Sequence, residues 1–418
     1  MELDAEIAAI CRRARVASRV LAPMPTARKN EALAAIGHAL KARRAAILAA
    51  NAADVADAAA KGTRGAMLDR LTLDEARMDA LAVGLAEVRD LPDPVGQLIA
   101  ESARPNGLRV RRVRTPIGVI AMIFEARPNV IVEASALALK AGNAIVLRGG
   151  SEAARSNAAL AEAVSDGLAA AGLPRDAVQS LASLDRDAVR VLVQQSDTVD
   201  LAIPRGGEGL IRFVTENARV PVVQHYKGVC HLFVDAGADV ATSARIVADA
   251  KLSRPGVCNA LECLLVDAAD AARVLPEIAA ALVAGGCELR GDERACALVP
   301  AARPAHEDDW GREFLDKILA IRVVDGLDGA LAHVATYGSG HTEAILTTST
   351  AHAERWRREV DAACVVVNAS TRFHDGGELG LGAEIGIATS RLHWRGPMGL
   401  EALTTNKWIV DGEGQTRG

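Results

Sequence analysis

Aromatic side chains are scarce in this chain: five Phe, two Tyr and four Trp among 418 residues. Alanine and valine carry most of the apolar half, so the core is expected to be built from small side chains. No apolar run approaches the roughly 18 residues of a membrane span. The start, MELDAEIAAICRRARVASRV, is charged and amphipathic and lacks the apolar centre of a signal peptide. Both lacks point to a soluble, cytoplasmic protein. Blocks of Lys and Arg are missing too, and the net charge of -5 is modest and evenly spread. That argues against nucleic acid or an anionic membrane as a partner.

The seven cysteines (11, 230, 258, 263, 287, 296 and 364) form no C-x-x-C pair. Neither a disulfide framework nor a zinc site is suggested, and no metal is expected. Two cofactor signatures are also missing. G-x-G-x-x-G does not follow a first strand, although GELGLGAEIG comes near it, and the Walker G-x-x-x-x-G-K-[ST] is absent.

What is present is length enough for two or three domains, each with its own core. Residues 1–91 read as helices only, with apolar positions at three- and four-residue spacing until LPDPVGQ breaks the pattern. From 117 the period changes. IGVIAMIF (117–124), AIVLR (144–148), VDLAIP (199–204) and VPVVQHY (220–226) are strand-like, with helical stretches between them. A second alternating series follows: CHLFVD, LECLLVD, LAIRVVD, EAILTT and CVVVNAS. Continuous apolar strands separated by helices predict mostly parallel sheets covered on both faces. The fold class is therefore α/β, with two doubly wound domains divided near 226/227, the second running over 227–390. The strand-like TTNKWIV in 391–418 has no obvious partner in its own neighbourhood and is expected to pair elsewhere, in a second subunit for example.

Two glycine-rich turns could carry a nucleotide. IVLRGGSEAARSN runs from a strand through Arg148, Gly149 and Gly150 into a helix opened by Ser151. It places backbone N–H groups beside a cation and a hydroxyl, as a 2'-phosphate would need. IPRGGEGLIRFV repeats the arrangement with Gly206 and Gly207. Each also describes an ordinary strand-to-helix turn. Two at consecutive strand ends say more than one, because ligands of open α/β sheets bind beyond the carboxyl ends of the strands.

In KLSRPGVCNALECLLVD, Pro255 and Gly256 stop a helix and leave Cys258 on a loop or fresh helical turn ahead of a strand, where N–H groups can lower a thiol pKa. Cys263 falls mid-strand and is expected to be inert. Buried structural thiol remains the alternative for Cys258.

With FEARPNV, AGNAIVLRGGSEA, PRGGEGLI, HYKGVCH and RPGVCNALE in view, nearly the whole chain resembles the gamma-glutamyl phosphate reductase family. This is a proline-biosynthesis branch of the aldehyde dehydrogenase superfamily. The resemblance implies a cofactor-binding domain over 1–226 with an arm segment near 100–116, a catalytic domain over 227–390 with Cys258 as nucleophile, and an oligomerisation segment over 391–418. It implies NADPH as cofactor, with Arg148, Ser151 and Glu152 in the ribose- and phosphate-contacting turn and Glu313 holding the nicotinamide ribose. An exposed carboxylate is the alternative for Glu313. It further implies gamma-glutamyl phosphate as substrate, a homo-oligomer, and a transient complex with glutamate 5-kinase.

Two departures from the wider superfamily stand out. An ungapped count places Glu125 in the column of the oxyanion-binding Asn. Asn129, four residues later, is then either the oxyanion donor or the N-cap of the next helix. The superfamily's general-base Glu falls on Gln224, which cannot take a proton from water and so suits a reductase. Arg127 is a candidate for a substrate anion, with a surface ion pair as its alternative. The rival functions are an oxidising aldehyde dehydrogenase for another small aldehyde and a non-catalytic nucleotide-binding protein of the same fold.

Overall fold

The structure, a computed structural model, describes residues 2–417 except 184 and 225, and not the side chain of residue 66. The chain divides into two compact units: Met1–Gln224 with Gly380–Gly386 and Pro397–Gly418, and His225–Leu379 with Ile387–Gly396.

The first unit begins with five helices, α1 (Glu2–Leu21), α2 (Thr26–Ala42), α3 (Arg44–Ala60), α4 (Gly65–Leu71) and α5 (Glu75–Asp90). Two strands follow, β1 (Leu98–Ala103) and β2 (Arg109–Pro116). The α/β layer then comprises β3 (Val119–Phe124), α6 (Val130–Lys140), β4 (Ala144–Arg148), α7 (Ala154–Ala170), β5 (Val178–Ser180), α8 (Asp187–Val193), β6 (Leu201–Arg205) and α9 (Glu208–Asn217). Its sheet runs β5-β4-β3-β6, every pairing parallel. All residues of β3 and β4 are buried, as strands covered on both faces must be. Helix α6 is apolar on nearly every face and buried except at Glu133. Its one cation, Lys140, donates from Nζ to Asn30 Oδ1 at 2.7 Å and to the Arg89 carbonyl at 2.5 Å, which locks the N-terminal helices onto the sheet.

The 220–226 stretch is not a strand. Among the described residues it contributes only a parallel bridge between Val222 and Ala202, and residue 225 lies outside them. Pro221 has no N–H to donate, so a ladder cannot run through it.

The second unit alternates throughout: β7 (Cys230–Val234), α10 (Val240–Leu252), β8 (Leu261–Asp267), α11 (Ala271–Ala284), β9 (Glu288–Gly291), α12 (Glu293–Leu298), β10 (Arg303–Pro304), β11 (Ile318–Val324), α13 (Gly326–Tyr337), β12 (Thr342–Leu346), α14 (Thr350–Glu359) and β13 (Cys364–Val367). The seven-stranded sheet runs β10-β9-β11-β8-β7-β12-β13. Successive side chains on β7 and β8 feed two separate cores. Leu232, Val234, Leu264 and Val266 pack with α10 and α11, while Phe233, Cys263 and Leu265 pack with Trp310 and Trp356. One strand thus serves two apolar layers, which is why its sequence shows no polar alternation.

Two short strands, β14 (Ile387–Ala388) and β15 (Gly396–Pro397), precede β16 (Thr404–Asp411). The orphan strand of the sequence has a partner in its own chain: β16 pairs antiparallel with β2 from Thr404↔Pro116 to Asp411↔Arg109, and β1 flanks β2 on the other side. The partner lies some 290 residues upstream and is rich in Arg, so no local apolar pattern announces it. Trp408 and Val410 on β16 and Leu98 on β1 remain exposed, and Arg112 lies 5.6 Å over the Trp408 ring.

Candidate active site

In the first unit the strand order places a topological switch point between β3 and β6, the place where open α/β sheets receive ligands. The two glycine-rich turns leave the sheet at this carboxyl edge. Arg148 ends β4 and is buried. Its guanidinium donates to the Gly149 carbonyl at 2.9 Å and to the Asp185 carbonyl at 3.2 Å, and burial depresses its pKa although guanidinium stays charged. Gly149 has no room for a side chain, because a Cβ there would stand 2.2 Å from Asn157 Nδ2 and 2.9 Å from Phe124 Cζ. Ser151 and Glu152 lie in a single 3-10 turn, Ser151–Ala153, with α7 starting after it. Gly150 stands at the cap position, and Ser151 is exposed.

Two carboxylates stitch this edge together. Glu152 Oε1 accepts from Ala126 N–H at 2.5 Å, and Glu125 Oε2 accepts from Gly207 N–H at 2.9 Å. Ala126 is held at φ 42°, a conformation that costs a residue with a Cβ energy and is kept by its surroundings. Gly206 is a cradle that a Cβ would fill, since that atom would meet Glu125 Oε2 at 2.4 Å. Arg127 and Asn129 follow on the half-buried bend into α6. Asn129 occupies the cap position without capping. Its Nδ2 donates to both carboxylate oxygens of Glu133 at 3.0 Å. Glu125 thus serves as acceptor for the N–H of Gly207, the residue ahead of α9. Gln224 is half-buried, and its Oε1 has no hydrogen-bond donor among the described residues.

In the second unit Cys258 lies half-buried on a turn between α10 and β8, with no helix at that point. Three contacts fix the turn. Gly228 presses its backbone against it so closely that a Cβ would fall 2.1 Å from the Cys258 carbonyl oxygen. The Cys230 thiol donates to that same oxygen at 3.2 Å. Asn259 is anchored at both ends, its carbonyl accepting from Thr371 Oγ1 at 2.8 Å and its Nδ2 donating to the His374 carbonyl at 3.0 Å. Gly228, Asn259, Thr371 and His374 were not singled out in the sequence. The motif HYKGVCH carried Gly228, but the need for glycine there appears only when the two backbones meet.

The other thiols separate by chemistry. Burial pushes Cys11 and Cys287 up to about 11 and Cys230 well above its ordinary value, so these three stay protonated near neutrality. Cys263 is fully buried, its Sγ 3.6 Å from His333 Nε2. His231, Cys263 and His333 bring three ligand atoms within 4.8 Å of one another. The Arg322 guanidinium, however, lies 3.1 Å from His333 Nδ1 and can only donate, so the ring proton sits on Nε2 facing the thiol. That tautomer makes a hydrogen-bonded cluster, with His231 anchored through Nδ1 to Glu343 at 2.9 Å.

His374 is wholly buried, and burial lowers it to about 4. An unfolded histidine titrates near 6.5. Between those values the unfolded chain binds a proton that folded His374 refuses, so this contribution is complete above pH 6.5 and is lost as pH falls toward about 4. His333, lowered to about 3 mainly by burial, acts in the same direction. Each histidine should cost up to about 1.4 kcal/mol per pH unit across its window. The fall in urea midpoint from pH 7 to pH 5 should be smaller in His374→Gln than in the parental protein, a comparison in which the opposite contribution of the raised Glu262 carboxyl cancels.

Glu313 sits half-buried in the loop between Trp310 and β11. The same loop contains Leu315, at φ 55°, whose carbonyl would lie 3.8 Å from a Cβ on Gly256. The Cys258 turn and the Glu313 loop are therefore neighbours. The candidate residues fall into two sets: Arg127, Asn129, Arg148, Gly149, Ser151, Glu152, Gly206 and Gly207 at the carboxyl edge of the first unit's sheet, and Cys258 with Glu313 in the second.

Comparison with known proteins gives the family and the fold. The family model described as "Aldehyde dehydrogenase family" matches residues 3–308. The gamma-glutamyl phosphate reductase of Sorangium cellulosum is 60% identical over 422 residues, covering 100% of this chain and 99% of that protein. The crystal structure of gamma-glutamyl phosphate reductase from Thermotoga maritima superposes with a TM-score of 0.97 at 45% identity, covering 99% of this chain and 100% of the other. An acetylating aldehyde dehydrogenase from Geobacillus thermoglucosidasius, 17% identical with a TM-score of 0.70 over 100% of this chain and 98% of that one, shares the fold. The chain belongs to the aldehyde dehydrogenase family and, within it, to the gamma-glutamyl phosphate reductases.

Proposed function

We propose that this chain reduces gamma-glutamyl phosphate to glutamate 5-semialdehyde with release of phosphate, using NADPH and a thioester on Cys258, in the cytoplasm. The observation that carries the reading is the contrast among the thiols. Cys258 is half-exposed on a turn pinned by Gly228 and Asn259, whereas Cys11, Cys230 and Cys287 are driven to high pKa by burial, and the half-exposed Cys296 and Cys364 belong to α12 and β13 rather than to a turn.

The Cys258 thiolate attacks the acyl carbon, a C–S bond forms, and the C–O bond to phosphate breaks as phosphate leaves with the bonding pair. NADPH, when bound, supplies the hydride that reduces the thioester. Collapse of the resulting hemithioacetal breaks the C–S bond, frees the aldehyde and returns the thiolate. Backbone N–H groups of the 256–259 turn are assigned to the oxyanion. Asn129 would first have to release Glu133 to assist them. Arg127 is assigned to a substrate anion. Gln224 cannot deprotonate water, so the thioester survives until it is reduced.

Residues of the first unit fit a nicotinamide dinucleotide. Arg148 offers a fixed cation beside exposed Ser151 for a 2'-phosphate, and the cradle at Gly206 and Gly207 admits a flat group close to the backbone. Glu313 is assigned to the nicotinamide ribose.

The test is NADP reduction by glutamate 5-semialdehyde with and without inorganic phosphate. Turnover is expected to require phosphate, because the reverse reaction must cleave the thioester by phosphorolysis. Rapid oxidation without phosphate would establish an aldehyde oxidiser instead.

A further inference from the structure

A buried ion pair stands beside the nucleophile turn with no part in the chemistry above. Lys251, in the last turn of α10, and Glu262, second residue of β8, both have wholly buried side chains, and Nζ lies 2.6 Å from Glu262 Oε2. A buried pair of this kind seldom out-stabilises apolar side chains of the same volume, so its presence calls for a geometric role. The other carboxylate oxygen supplies one. Glu262 Oε1 accepts from the Leu315 N–H at 3.2 Å, two residues beyond Glu313.

Leu315 is 43% exposed and gains little from burial, yet it holds a left-handed backbone at φ 55°. Something must keep it there. Phe314, next in the loop, is packed among cations, with Arg290 at 5.3 Å, Arg312 at 5.6 Å and Lys251 Nζ at 6.0 Å from its ring. Lys251 and Glu262 therefore grip the loop from two sides, one through a ring and one through a backbone N–H. Burial raises the Glu262 carboxyl above its ordinary range, against the pull of Lys251 and of its bond to the Leu315 N–H.

We infer that the Lys251–Glu262 pair is a positioning device that ties the Glu313 loop to the strand following Cys258, so that the residue holding the nicotinamide ribose keeps a fixed place relative to the nucleophile. The inference rests on the reading of Glu313 given above. Lys251 and Glu262 touch neither substrate nor cofactor in this role; they act through Leu315 and Phe314.

Two paired variants test it. Lys251→Met with Glu262→Leu removes both charges and the acceptor for Leu315 N–H, whereas Lys251→Met with Glu262→Gln removes the charges and keeps an acceptor. In single turnovers the first should slow hydride transfer by about tenfold or more. Alkylation of Cys258 by iodoacetamide should proceed at the parental rate in the same variant, a split that general loosening of the fold does not produce. The Gln variant should recover most of the hydride-transfer rate.

Equal rates in the two variants, or alkylation and hydride transfer falling together, would overturn the inference. Glu313→Ala separates the underlying reading. If it leaves hydride transfer intact, the ribose assignment fails; if it slows hydride transfer while the Leu variant does not, the positioning role alone fails. Amide exchange in the unaltered protein gives an answer even if the Leu variant does not fold: Leu315 N–H should be protected despite its exposed side chain, and fast exchange there counts against the bond.

Discussion

Replacing Cys258 with serine is expected to lower turnover by about 10^3-fold or more while leaving NADPH binding unchanged. A serine hydroxyl is ionised far less than a thiol at neutral pH, and an ester surrenders its acyl group to hydride less readily than a thioester does. Both halves of the reaction therefore suffer. The substitution removes one sulfur from a half-exposed turn whose anchors lie elsewhere, in Gly228 and in the Asn259 contacts to Thr371 and His374, so the fold should be untouched. Phosphate-dependent NADP reduction measures the loss, and quenching of tryptophan fluorescence by NADPH reports binding. Near-normal turnover would remove Cys258 from the mechanism.

The second large effect is expected from a methyl group. In Gly228→Ala the new Cβ would stand 2.1 Å from the Cys258 carbonyl oxygen and 2.7 Å from its Cα. Both are backbone atoms that cannot rotate aside, so one chain segment must shift by about 1 Å. A shift of that size at a nucleophile costs about 10^2-fold in rate, and forcing the contact costs about 1–3 kcal/mol of stability. Thermal unfolding together with Cys258 alkylation kinetics would show both. Gly84→Ala is the control: a Cβ there has nothing within 4 Å, and alanine inside α5 should be neutral or stabilising. If Gly228→Ala keeps full activity, the turn is not positioned by this contact.

Five of the strands legible in advance share one property, while β13 and β16 were legible although partly or largely exposed. β3, β4, β7, β8 and β12 are buried along their whole length, so their sequences are mainly apolar, and the charged residues inside them, such as His231, Glu262 and Glu343, are paired. β5 has three residues, β9 four and β10 two, too few to show a period. β1 and β2 are largely exposed or half-exposed and mix apolar with charged residues, so no apolar run marked them as strands. VPVVQHY failed for the opposite reason, since its composition is strand-like but Pro221 cannot complete a ladder.

The candidate site divides in the same way. Arg148, Gly206 and Cys258 could be singled out because each lies in a short segment that carries its own signal: a strand, a break and a turn. Glu125's bond to Gly207, Asn259's to the 371–374 segment and Glu262's to Leu315 join residues 82, 112 or more, and 53 positions apart. No local pattern encodes such pairs.

From the sequence alone came the α/β class, the helical beginning and the family, with Cys258 as the candidate among seven cysteines, because periodicity, chain breaks and motifs are local properties written residue by residue. Tertiary structure alone decided that β16 pairs with β2, that residue 228 must lack a side chain, and that a buried carboxylate holds Leu315 in place. Each of these depends on how closely distant segments approach, and that distance exists only once the chain has folded.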